Sequence, residues 1–324
     1  MSGIETLPRI LISNDDGVAA PGLLALVEEL RNFRCEFSVC GPSGERSAQS
    51  HSITVGKHLH AFNIPVQGAD EAYAVDGSPA DSVMLALHSP LLRNPNFDLV
   101  VSGINRGDNC GLHVIYSGTV GAAREAACKD IPSLAFSLDN HQARAQEQYQ
   151  IAARYAVAVI KATLGYFPEP IGRPIREDLK GAVLNVNIPG TVDASSILGF
   201  QLCSQGFHCS LPEFKEVEAD PNFGQNKDDR NSHAHKLIMG EVNLRAFRNG
   251  AGYLREDRRP GTDSWSISNG WIAVNPVGLI SGLPLTLKEA SDRFNPTVLS
   301  AAKAILTSAA TELGVKVETI EIQG

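Results

Sequence analysis

The stretch FDLVVSGI, Phe97 to Ile104, is apolar nearly throughout and lacks the in–out alternation of a half-exposed strand. Such a strand has to be covered on both faces, which is the situation of a parallel sheet sandwiched between helices. The neighbouring sequence supplies those helices. Strand-like segments RILIS, EFSVCGP, AYAVDG, PSLAFSL and GAVLNVNIP alternate with segments of helical period. After Pro21, Leu23, Leu26, Val27 and Leu30 recur at helical spacing; SPADSVMLALHSPLL opens with Ser78 as an N-cap and Pro79 behind it. A small-residue helix is expected from Thr119 to about Lys129 and a long one from Ala143 to Leu164. The order predicts an α/β fold, a Rossmann-like and mostly parallel sheet with helices on both faces. Beyond Cys203, the runs LIMGEVNLRAF and WSISNGWIAVNPVG predict a C-terminal β-hairpin extension. Leu299, Ala302, Ile305 and Leu306 mark one face of a terminal helix over 295–313. The expected division is 1–205 for the α/β domain, 206–290 for an extended hairpin and loop region, and 291–324 for the terminal helix and tail.

In sheets of this kind ligands bind beyond the carboxyl ends of the strands. Asp15 and Asp16 fall at that edge, directly after RILIS. Two adjacent carboxylates repel, and one tends to keep a proton unless a cation neutralises the pair. Capping of the DDGV turn is the plainer explanation of an isolated pair, so the rest of the edge decides. Three segments arrive there. GPSGERSAQSHS, Gly41 to Ser52, is a hydroxyl-rich loop. VSGINRGDNCG, Val101 to Gly111, offers Asn105 as a neutral oxygen donor just past the strand. YSGTVGAA, Tyr116 to Ala123, opens a helix with small residues, so that exposed N–H groups and the helix dipole make a phosphate cradle. Each alone reads equally well as an ordinary loop, turn or cap. Together, oxygen donors beside a phosphate cradle favour a hard divalent cation over zinc.

The net charge of −8 lacks the basic footprint of a nucleic-acid binder. It also requires something local and positive to receive an anionic ligand, such as a metal ion or a helix N-terminus. No apolar run is long enough to span a membrane, and the opening residues lack the pattern of a secretion or transit signal. The six cysteines show no zinc spacing and are expected as reduced thiols; Cys40 is expected as a small buried hydrophobe. A cytoplasmic protein is the expectation.

The segments ILISNDDGVAAPG, GERSAQSHSITV, DGSPADSV, DLVVSGINRGDNCG and YSGTVGAAREA occur in the order and spacing of the SurE family, the survival-protein family of metal-dependent nucleoside monophosphate phosphatases. The resemblance covers roughly residues 9–205 and continues faintly in GTDSWSISNGWIAVNPV, where Trp271 stands in place of the usual tyrosine. The chain resembles a longer, eukaryotic or plant-like member. The likeness implies a Rossmann-like core, a projecting hairpin, a C-terminal helix able to take part in subunit exchange, and a homodimer or homotetramer. It implies one divalent cation per subunit, Mg²⁺ or Mn²⁺ or else Ca²⁺, held by Asp15, Asp16, Ser47 and Asn105. It places Ser117, Gly118 and Thr119 beside the phosphate, with Asn14 in the same set and orienting the aspartates, and makes Asp15, Asn105 and Ser117 the catalytic residues. His51 falls where the family also uses asparagine, so no catalytic role is assigned to it. The segment Phe207 to Pro260 departs most, being longer and more charged than the hairpin region of bacterial relatives. The expected activity is hydrolysis of a nucleoside monophosphate to nucleoside and phosphate, at the 5′ and also the 3′ ester.

Two other classes compete. A signalling receiver would need a phosphoacceptor aspartate at the end of the FDLVVSGI strand, where Ser102 and Asn105 stand instead. A nucleotide-binding regulator with weak or lost catalysis would need a broken metal set, and all four positions are filled. A metal site at His233 and His235 is weaker than a solvated loop there.

Overall fold

The computed structural model describes residues 7–166, 178–191, 193–219, 245–250, 252–279 and 296–320. Contacts divide the chain into two units, 1–208 with 256–324, and 209–255.

The first unit is built on a ten-stranded sheet. Its strands are β1 (Arg9–Ser13), β2 (Glu36–Pro42), β3 (Ala61–Asn63), β4 (Ala72–Val75), β5 (Leu99–Arg106), β6 (Ser133–Asp139), β7 (Ala182–Pro189), β8 (Gly199–Leu202), β13 (Trp271–Gly278) and β14 (Lys316–Thr319). The second unit holds β9 (Cys209–Ser210), β10 (Glu213–Val217), β11 (Ala246–Gly250) and β12 (Leu254–Arg255). Across the large sheet the order is 14-8-13-7-6-5-1-2-4-3. The six strands from β7 to β4 are parallel throughout. Read in chain order they give the arrangement of a dinucleotide-binding sheet, with its reversal between β1 and β5. At such a switch point the loops leave in opposite directions and open a crevice. Ser13 of β1 pairs with Ser102 of β5, so the loops that follow both strands start side by side.

The helices are α1 (Pro21–Leu30), α2 (Pro79–His88), the single turn α3 (His113–Tyr116), α4 (Gly118–Ala127), α5 (Gln150–Thr163), α6 (Asp263–Ser268) and α7 (Pro296–Leu313). Strand alternation sends Ile10 and Ile12 into one core with α1, α5 and α7, where Leu26, Ile160 and Ile305 are fully buried. Leu11 faces the other way, against Val83 of α2 and Ala122 and Ala126 of α4. The sheet is therefore covered on both faces, as the unbroken apolar strands require. The N-cap expected at Ser78 forms, and the structure extends it to a capping box: its hydroxyl accepts the Asp81 N–H while Asp81 accepts the Ser78 N–H.

Two features differ from expectation. The long helix over 143–164 begins later, at Gln150, behind a 3₁₀ turn at Gln146–Tyr149. The WSISNGWIAVNPVG run does not serve as one arm of a hairpin. Its first half is α6, capped by the Thr262 hydroxyl, and its second half is β13, inserted antiparallel to β7 and parallel to β8 within the large sheet. Every residue of Trp271–Gly278 is buried, and a strand with no exposed face fits a sheet interior better than a projecting ribbon. In the second unit, β10 pairs antiparallel with β11 and β9 with β12. A two-pronged Arg245–Glu216 ion pair, 2.7 and 2.8 Å, accompanies the first ribbon. His233 and His235 lie outside the described residues.

Candidate active site

The turn after β1 is shaped by Asn14. It is fully buried; its side-chain NH₂ donates to the Gly17 carbonyl at 2.9 Å and its Oδ1 accepts the Gly17 N–H at 3.1 Å. Both ends of the Asn14 amide are thus bonded within the turn, and Asn14 is not among the residues lining the cleft onto which Asp15 opens. Asp15 is 3 % exposed and accepts a hydrogen bond from the Thr119 hydroxyl at the start of α4. Asp16 accepts the Arg106 N–H at 2.9 Å, which ties the end of β1 to the end of β5. The β5 strand has one extra residue between Ser102 and Asn105 against β6. Such a bulge re-aims the side chains beyond it, and Asn105 is the first residue back in register, its amide donating to the Gly107 carbonyl at 2.7 Å.

A cleft of about 380 Å³ lies over these strand ends. Asp15, Ser47, Asn105 and Ser117 line it, together with Arg106, Asp108, His113, His141 and Arg144. The loop carrying Ser47 is anchored by the Arg46 N–H donating to the Asp15 carbonyl at 2.7 Å, and the Ser47 hydroxyl donates to Glu45 at 3.0 Å. Further along, Ser50 ties the same loop to the turn before α4: its N–H donates to the Tyr116 carbonyl and its hydroxyl to that of Ile115. His51 bonds Glu125 of α4 at 3.0 Å, a bracing contact. Thr54 bonds Asp81 with both its N–H and its hydroxyl at 2.7 Å, so the DGSPADSV motif holds the loop from below.

Ser117 is the N-cap of α4, its hydroxyl oxygen accepting the Val120 N–H at 3.0 Å. That leaves the hydroxyl proton at the cleft, at the start of a ten-residue helix. Thr119 is fully buried, and both its hydroxyl and its backbone N–H are hydrogen-bonded to Asp15, so it positions a carboxylate. Gly118 is required by close approach. A Cβ there would stand 2.8 Å from the Asp15 Cβ and 3.0 Å from Pro79.

The electrostatics call for a cation. Burial pushes the Asp15 carboxyl up to about 7; the Thr119 hydroxyl opposes this, and neighbouring Asp16 adds to it. Asp16 is raised as well, by burial against the lowering effect of the Arg106 N–H and guanidinium. A buried carboxylate whose nearest charged neighbour is a second carboxylate is stable only when protonated or metal-bound. The oxygen-donor chemistry of the expected set, Asp15, Asp16, Ser47 and Asn105, suits a hard divalent ion; Asp15, Ser47 and Asn105 line the cleft, and Asp16 is not among its lining residues.

Sequence reasoning passed over several cleft residues. Arg106 bonds Glu45 at 2.9 Å and stands 4.0 Å from Asp16. Arg144 follows β6 and lines the cleft beside His141. These cations are the local positive charge that an acidic chain needs to admit an anion, and the strand-end rule applied to PSLAFSLDNHQAR points to Arg144. Asp263 is fully buried and receives the N–H groups of Gly111 and Gly206 at 2.8 and 2.9 Å.

Comparison with known proteins matches the family model described as Survival protein SurE to residues 10–210. The protein 5′-nucleotidase SurE 1 of Thermus thermophilus is 37 % identical over 273 residues, 84 % of this chain and 92 % of its own length. The 5′-nucleotidase SurE of Natranaerobius thermophilus is 35 % identical over 274 residues, 83 % and 92 % of the two chains. The crystal structure of the SurE protein from Aquifex aeolicus superposes with a TM-score of 0.61 at 30 % identity, over 84 % of this chain and 94 % of that one.

Proposed function

Because the chain belongs to the SurE family, we propose that it is a metal-dependent 5′-nucleotidase, a phosphomonoesterase releasing phosphate from nucleoside monophosphates. The observation that carries this reading is the buried Asp15 carboxyl, raised by its surroundings and opening on a cleft lined by Ser47, Asn105 and Ser117. Asp15, Asp16, Ser47 and Asn105 would hold one divalent ion, Mg²⁺ or Mn²⁺ or else Ca²⁺. When bound, such an ion polarises a phosphoryl oxygen and makes a coordinated water more acidic.

The chain's own residues do the rest. The N-terminus of α4 and the Ser117 hydroxyl proton face the remaining phosphoryl oxygens, where fixed donors stabilise the charge that grows in the transition state. Arg106 and Arg144 draw the anionic substrate in and balance its charge. Thr119 holds Asp15 in one rotamer. We extend the reading to a homodimer or homotetramer acting in the cytosol. All six cysteines carry free thiols, as a reducing compartment favours.

A panel of 5′ and 3′ nucleoside monophosphates, assayed for phosphate release on metal-stripped protein with each cation restored, tests the activity. Release that depends on added cation and vanishes with EDTA is expected. Equal turnover with and without EDTA contradicts the reading, and nucleotide binding without release favours a regulator. Thr119→Val keeps the shape and removes the hydroxyl that holds Asp15. It should lower kcat about 10- to 100-fold and weaken Mg²⁺ activation, as loss of an outer partner of a metal ligand does. Unchanged kcat and Mg²⁺ dependence would show that Asp15 needs no such support.

A further inference from the structure

Separate from the four oxygen donors, Asp108, His113 and His208 bring one ligand atom each to within 4.8 Å of one another. Asp108 is 8 % exposed. Its Oδ1 lies 3.0 Å from His113 Nδ1 and accepts the Cys110 N–H at 3.0 Å, and its Oδ2 is 3.6 Å from His141 Nε2. The His113 and His208 rings meet edge to face, centroids 5.2 Å apart. We propose that Asp108, His113 and His208 form a second cation site, a two-histidine, one-carboxylate set for a borderline divalent ion such as Zn²⁺ or Co²⁺.

Two lines of chemistry support this. First, the donor set is complementary to the first site, not a copy of it. Imidazole nitrogens prefer borderline metals, whereas the all-oxygen set prefers hard ones. Second, the scaffold is rigid although its parts are far apart in sequence. The Leu112 N–H donates to the His208 carbonyl at 2.8 Å. Gly111 has φ +54°, and a Cβ on it would stand 2.5 Å from the His208 backbone, so only glycine lets the two loops meet. Asp263 clamps Gly111 and Gly206 together, and the Gln205 amide donates to the Gly111 carbonyl at 2.7 Å. Tetrahedral binding at ~2.1 Å needs donors about 3.4 Å apart, so side-chain rotation has to close the present spread of up to 4.8 Å. Asp108 and His113 line the cleft, so the open coordination positions are reached from it, and His141 remains as an outer partner of the carboxylate.

The test is a Co²⁺ titration of the metal-stripped full-length chain, read by visible d–d absorption. His233 and His235 are replaced by alanine throughout, so that they supply no signal. The readout does not involve phosphatase activity. Asp15→Asn, which disables the acidic site, should still bind one equivalent of Co²⁺ with an imidazole-type spectrum that Zn²⁺ displaces. His113→Gln and His208→Gln, each checked for an unchanged metal-free circular dichroism spectrum, should each weaken that binding at least tenfold and abolish the band. Two separate variants keep the test decisive if one of them misfolds. A Co²⁺ affinity within twofold of the parent in the folded histidine variants, or no displaceable equivalent in Asp15→Asn, overturns the proposal.

Discussion

Asp15→Asn should give a folded chain whose phosphate release, at saturating Mg²⁺ and nucleotide, falls at least ~10³-fold. The substitution keeps the shape of the side chain and its bond to Thr119 but removes the charge that faces the expected ion. The same change should alter stability in a direction set by the raised carboxyl. Asp15 has a folded pKa of about 7 against an ordinary 3.8, so the folded state binds its proton more tightly than the unfolded chain does. Metal-free wild type is then unpenalised below pH ~4 and loses stability as the pH rises towards 7, by about 4 kcal/mol in all for a fully buried group. A divalent cation should offset that loss, and its stabilising effect should grow over the same interval. Asp15→Asn should flatten both dependences. Melting curves of the metal-free chains at pH 4.5, 6 and 7.5, with and without Mg²⁺, measure this directly. Parallel pH profiles in the two chains would show that Asp15 is not held protonated by its surroundings.

Gly118→Ala should cost about 10²-fold in turnover while leaving the fold in place. Alanine is the better helix former by about 1 kcal/mol, so a purely local view predicts a gain. The added Cβ, however, would lie 2.8 Å from the Asp15 Cβ and 3.0 Å from its Oδ2, with Pro79 at 3.0 Å on the other side. Pro79 is a rigid ring at the first position of α2, so Asp15 is the group that shifts. A displacement approaching 1 Å at a ligand is enough for a hundredfold loss. Gly44→Ala makes a matched control. It sits on the loop carrying Ser47, yet nothing lies within 4 Å of its added Cβ, and its turnover should stay within about threefold of wild type. Equal activity of the two alanine variants would remove the steric argument.

The parts of this site legible in the sequence are those encoded locally. The NDDG turn is closed by Asn14 on Gly17, three residues apart, and the strand-end rule puts Asp15, Asp16 and Asn105 at one edge once the parallel order is recognised. The caps at Ser117 and Ser78 follow from residue type and the helical period alone. What escaped was long range. Asp263 and Gly111 are 152 residues apart, and no periodicity links GTDS to the DNCG loop. The same holds for His208 against Asp108 and His113. The bond from Thr119 to Asp15 was hidden for a related reason: only the packing of α4 on the end of β1 directs its hydroxyl to a carboxylate. The β13 strand was missed as part of the large sheet because an apolar run such as WIAV marks a buried strand without naming its neighbours.

Diffraction from crystals of the whole chain soaked in Mn²⁺, with anomalous data collected at the manganese edge, tests the central claim most directly. The expected map has an anomalous peak within about 2.5 Å of oxygens from Asp15, Asp16, Ser47 and Asn105, and Asp15→Asn crystals lack it. An ion bound elsewhere with those four residues left uncoordinated, or an unchanged peak in the Asp15→Asn chain, would contradict the assignment.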